Sequence, residues 1–197
     1  MKERFRDKTR DNLAQLLNII GIKATMAERN RLEEKINKPW YMRSLGIIDI
    51  SSEGPIKWTN NLKKDGNDKS GPVWHVVLGI PDKTPVSKIK LRTIRKKNFP
   101  IFGDIIDTVW RGNDDGTSLI NTLSDDPLIK KTAKEIGNLT VEADPKKFEG
   151  WTLKIDRNLA LKNLKYGNQY HHKKFTREHW ETLEKIANYL LSSPRKA

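Results

Sequence analysis

Seven bases and no acid lie between Lys83 and Pro100: Lys83, Lys88, Lys90, Arg92, Arg95, Lys96 and Lys97. Ammonium and guanidinium groups at this density neutralise a polyanion, because each donates charge-assisted hydrogen bonds to phosphate or carboxylate oxygens. Within the block Lys88, Lys90 and Arg92 alternate with Ile89, Leu91 and Thr93. That is the period of a half-buried strand, with one apolar face and one cationic face. Arg95, Lys96 and Lys97 extend the track, and Lys173 and Lys174, which follow His171-His172, are secondary candidates for the same partner. Lysine on an edge strand has a blander role too, since it blocks pairing between sheets.

Other spacings that could do chemistry fall short of it. Gly66 to Gly71 has the two-glycine spacing of a phosphate loop, but Pro72-Val73 stands where the lysine and hydroxyl should follow. Asn113-Asp114-Asp115-Gly116 has the composition of a calcium loop. Aligning its glycine puts Arg111 at the first ligand position and Thr122 where a bidentate Glu belongs, so it reads as a turn. His171, His172 and His179 are near in sequence but no Cys completes a metal set, and His75 alternates with valines as a strand residue without a nucleophile beside it. Asp144-Pro145-Lys146, downstream of Asp126, resembles the acidic-X-Lys element of metal-dependent nucleases. Pro145 departs from that pattern, because it removes an amide and places the element in a turn rather than on a core strand. The first two helical segments could form a helix-turn-helix with residues 26 to 36 as its reading helix, yet Arg29, Asn30 and Arg31 occupy its middle turn. No catalytic residue, metal ligand or cofactor is assigned.

The charge is unevenly spread over the 197 residues. The net of +13 divides into +4 over residues 1–40, zero over 41–82, +7 over 83–100, −4 over 101–150 and +6 over 151–197. Such polarity steers partners. Six Trp, five Phe and four Tyr offset a lean 36% apolar content and favour a packed core. The absence of Cys excludes disulfides and thiolate zinc, and no run approaches the length of a membrane span, so a cytoplasmic protein without a transmembrane segment is expected.

The elements that must position the basic strand read as α+β. The expectation is a largely antiparallel sheet of about seven strands with an N-terminal helical hairpin, one inserted helix and a C-terminal packing helix. Residues 1–40 form the helical segment and 41–197 the α+β domain. Leu13, Leu16, Leu17 and Ile20 mark a first helix that Gly21 stops, and Thr25-Met26-Ala27-Glu28 has the spacing of a capping box for a second. Short apolar runs between Ser44 and Trp110 read as strands, Asp126-Pro127 caps the inserted helix that ends at Gly137, and Thr176 caps the last, with Phe175 and Trp180 at staple spacing. The reading is a non-enzymatic protein that binds a polyanion, DNA or RNA, through the basic strand face. The alternatives are a regulatory or scaffolding domain docking on an acidic protein or anionic lipid surface, and a metal-dependent nuclease. Self-association through the N-terminal helices is a further expectation.

Overall fold

The computed structural model describes residues 7–83, 87–98, 105–113, 117–157, 159 and 174–192. Eight strands form one antiparallel sheet: β1 (Ala24–Met26), β2 (Arg43–Ile50), β3 (Trp58–Lys64), β4 (Val73–Pro81), β5 (Ile89–Lys97), β6 (Ile105–Gly112), β7 (Leu139–Ala143) and β8 (Gly150–Ile155). Their order is β1-β2-β3-β4-β8-β7-β5-β6. The helices are α1 (Thr9–Ile19), α2 (Thr117–Asp125), α3 (Pro127–Ile136) and α4 (Arg177–Ser192), and none of those described is long and apolar enough to cross a membrane.

Strand alternation divides the side chains between two layers. Val76, Leu78 and Ile80 of β4, Ile89 and Leu91 of β5, and Leu153 and Ile155 of β8 point to one side, where they share a core with Leu13, Leu17, Leu123, Ile129, Trp180, Leu183 and Leu190 of the four helices. Phe175 and Trp180 are fully buried there, as the staple spacing requires. Asp126 caps α3 by accepting from the Leu128 and Ile129 amides, and ties it to α4 through Lys185 at 2.5 Å and the Tyr189 hydroxyl at 3.2 Å.

On the opposite side a smaller cluster of Ile47, Trp58, Leu62 and Val77 lies under Ala27, Ile36 and Met42. Residues 27–42 therefore cover β2, β3 and β4. Gly79 sits directly opposite Trp58, and an added Cβ there would fall 1.9 Å from the indole, so only glycine lets the ring lie flat across the sheet to meet Phe148 at 5.5 Å.

The N-terminal helical hairpin is present in shortened form. Its first member is α1, while the second is reduced to one 3-10 turn, Leu32–Lys35. The Thr25 capping box does not form, because residues 24–26 pair with Ile48 to Ile50 as the edge strand β1. The Asn18 side chain fixes that choice by bonding both the amide and the carbonyl of Ala24, at 3.2 and 2.8 Å. No α-helix spans residues 26–36 to read a DNA groove.

Candidate anion-binding cleft

Among the described residues, no helix or strand covers the helix-free face of β5, β6, β7 and β8. The expected alternation in β5 is present: Ile89, Leu91 and Thr93 are buried toward the helices, while Lys88, Lys90, Arg92 and Lys96 stand exposed on the opposite side. Arg95 departs from the track. An odd position on a strand faces the other way from an even one, and its guanidinium donates instead to the Ala133 carbonyl at 3.0 Å, at the C-terminal end of α3. Arg157 joins it there, donating to the Glu135 carbonyl at 3.4 Å. Burial and the neighbouring Arg95 charge push the Arg157 pKa down to about 10, and both cations oppose the negative end of the helix dipole. Lys97 ends β5. Lys174 is exposed just ahead of α4, in the helical layer, and Lys173 lies outside the described residues, as do His171 and His172.

Register brings in two bases that the sequence pattern of β5 alone does not reveal. Arg111 of β6 lies directly opposite Arg92, Arg92 opposite Thr140 of β7, and Thr140 opposite Lys154 of β8. Neighbouring strands run about 4.8 Å apart, so three cations occupy one row about 14 Å long across four strands. Lys90, Glu142 and Thr152 form the adjacent row. A wall rises beside them at Asn37-Lys38-Pro39, and the resulting cleft of about 960 Å³ is lined by Asn37, Lys90, Arg92, Thr140, Glu142 and Lys154 among others. Asn37 adopts a left-handed φ of 50°, which Asn tolerates better than most residues, and its amide donates to the Thr152 hydroxyl at 2.6 Å. That bond pins the wall to the floor.

The lysines of this face are partly neutralised. Lys90 lies 3.5 Å from Glu142, Lys88 3.9 Å from Asp144, Lys96 3.8 Å from Asp107 and Lys154 3.0 Å from Asp156, while Lys147 reaches both Glu142 and Asp144 at 3.3 Å. Burial pushes the Asp156 carboxyl up, but the His75 imidazole at 2.9 Å and the Lys154 ammonium outweigh it and hold it below the usual range. Asp144 is likewise held low: desolvation opposes ionisation and is outweighed by Lys147 and the Lys146 amide. Arg92 and Arg111 differ from these lysines. Among the described residues neither side chain has an ion-pair or hydrogen-bond partner.

The other candidates are drawn apart. Asp144 opens the turn between β7 and β8 and Asp126 caps α3, so the two carboxylates of the nuclease-like element serve separate elements. No three His, Asp or Glu groups among the described residues are placed to hold one metal ion. His179 is buried between α3 and α4. Its Nδ1 accepts from the Thr176 amide at 3.1 Å, which leaves the proton on Nε2, 2.9 Å from Glu135. Arrayed donors over a concave floor can bind oxyanions, and two unpaired guanidiniums side by side suit a phosphate held between them. Comparisons with protein-family models, with curated proteins and with solved structures find no match to this chain.

Proposed function

We propose that the protein binds a polyanion, nucleic acid, along the helix-free face of β5 to β8, with Lys90, Arg92, Arg111 and Lys154 as the phosphate contacts. The observation that carries this reading is the direct cross-strand opposition of Arg92 and Arg111 with no described acid partner. Like charges directly opposite are destabilising. At about 4 Å two cations repel by about 1 kcal/mol in water and about 4 kcal/mol at the effective dielectric of a protein surface. A phosphate between them turns that repulsion into two attractions. The lysine–carboxylate pairs offer little resistance to the same ligand, because exposed ion pairs are worth about 0–1 kcal/mol. The cleft is concave, which favours a chain that can lie along its floor over a planar lipid surface.

Fluorescence anisotropy with labelled oligonucleotides between 50 and 200 mM salt tests the reading. Four phosphate contacts give a log–log salt slope of about −3 to −4. Arg92→Gln with Arg111→Gln should weaken binding uniformly across sequences and reduce the slope by about two. Lack of binding at the lowest salt, or a double variant that binds like the wild type, defeats the proposal.

A further inference from the structure

The cleft has one neighbour that its charges do not explain. All six tryptophans are described, and Trp40 alone is exposed, at 91%, while Trp58, Trp110, Trp151 and Trp180 are buried and Trp74 is half-buried. Trp40 follows directly on Pro39, the last residue of the cleft wall. The two lie in a tight turn that the Met42 amide closes by donating to the Pro39 carbonyl at 3.0 Å. Lys38 braces the turn by donating to the Met42 carbonyl at 3.2 Å, and Tyr41 meets the indole edge-on at 5.6 Å with Lys64 over its own ring at 5.7 Å. The wall beneath is anchored to the floor through Asn37 and Thr152. A large aromatic face is thus held in water, on a fixed turn, beside a basic groove.

We infer that the nucleic acid bound by this cleft is single-stranded and that Trp40 is a stacking platform for one of its bases; this rests on the polyanion reading above. The shape of the groove selects a single strand. Lys154, at one end of the basic row, is recessed, with its side chain 27% exposed. Phosphates must descend to the floor to reach it. A single strand can do so and turn its bases outward toward the wall, whereas a duplex holds its phosphates around a wide cylinder and its bases inside. Every base has a π-face, so one indole at the rim accepts any sequence, and stacking of this kind accompanies basic grooves in proteins that bind single strands without sequence preference. Thr140 on the floor carries a hydroxyl that can meet sugar or phosphate oxygens.

The experiment compares wild type, Trp40→Ala and Trp40→Phe against three probes at one salt concentration: an oligothymidylate, a duplex of equal length and inorganic polyphosphate. The expected result is tighter binding of the single strand than of the duplex. Trp40→Ala should lose about tenfold or more on the oligothymidylate, Trp40→Phe should recover most of that, and the polyphosphate affinity and the salt slope should stay unchanged. Emission from the exposed indole should be quenched by the oligothymidylate and not by polyphosphate, and the quench should vanish in both variants. Equal affinity of Trp40→Ala and wild type for the single strand overturns the inference. So does a duplex bound as tightly as the single strand, or an equal loss on polyphosphate. Each of these leaves the polyanion reading standing. A wild-type protein that binds none of the three probes overturns that reading itself.

Discussion

One face of this sheet carries two different surfaces, divided near β4. Over β2, β3 and β4 the positions turned away from the helices are Ile47, Trp58, Leu62 and Val77, and residues 27–42 fold across them. The polar groups beneath that cover are satisfied by it: Asn60 donates to the Glu33 and Glu34 carbonyls at 3.3 and 3.2 Å, and Asp49 pairs with Arg31 at 2.5 Å. Over β8, β7, β5 and β6 the equivalent positions are Lys154, Thr140, Arg92 and Arg111, and nothing among the described residues lies over them. Apolar residues at alternate positions must be hidden from water. Charged ones must not be, and two of these have been left without the partners that the covered half supplies to every polar group named here. The difference separates the part of the face that stabilises the fold from the part available to a ligand.

Removing the centre of the covered half should produce the largest effect. Trp58→Ala deletes a buried indole that rests on Gly79 and meets Phe148, and should cost about 3–5 kcal/mol. That is a large share of a typical domain's stability of about 5–15 kcal/mol. Chemical denaturation checks it. A loss below about 1 kcal/mol would mean that residues 27–42 are not held down by this cluster, and the contrast between the halves would dissolve.

The contrast also sorts what the sequence could and could not reveal. Period-2 alternation identified the two faces of β5 because Ile89, Leu91 and Thr93 are packed against helices while Lys90 and Arg92 are not. The same rule applied strictly would have removed Arg95 from the basic track, since it shares parity with Leu91 and Thr93. It would also have flagged Lys154, which alternates with the buried Leu153 and Ile155. Arg111 was harder to find, because only the β5–β6 register places it opposite Arg92. The α3 and α4 helices were legible through local signals that act within a few residues: the Asp126 cap, Gly137 and the Phe175–Trp180 staple. Strand β1 was not. Thr25 and Glu28 have true capping-box spacing, and that local preference is overridden by pairing with β2 and by the Asn18 side chain, which no local pattern encodes. Nor does the sequence around Trp40 announce that it is exposed; its position follows from a wall built by tertiary contacts.

A gentler change on the open half should move stability the other way. Arg92→Gln with Arg111→Gln removes a cross-strand repulsion and no described contact, so the double variant should be as stable as the wild type or more stable by about 0.2–1 kcal/mol. Denaturation in low salt, where screening is weakest, gives the clearest reading. A variant destabilised by more than about 1 kcal/mol would show that the two guanidiniums hold the fold together, and the open half would then resemble the covered one.

The smallest expected effect concerns acid, and it separates the halves by chemistry rather than by size. Burial alone would raise the Asp156 carboxyl, yet His75 and Lys154 more than offset this and lower it. The folded protein therefore keeps this carboxylate ionised at pH values where the unfolded chain has begun to protonate it, near the usual value of about 4. Its contribution to stability is complete above that value and is lost as pH falls through the depressed folded one. Asp156→Asn removes that contribution, so the gap between its melting temperature and that of the wild type should shrink as pH falls from 4 toward 3. The deficit of Trp58→Ala, which involves no titrating group of its own, should stay level over the same range. A gap for Asp156→Asn that is equally flat would remove the carboxylate from the electrostatics of the cleft and leave Lys154 as an unneutralised third cation beside Arg92 and Arg111.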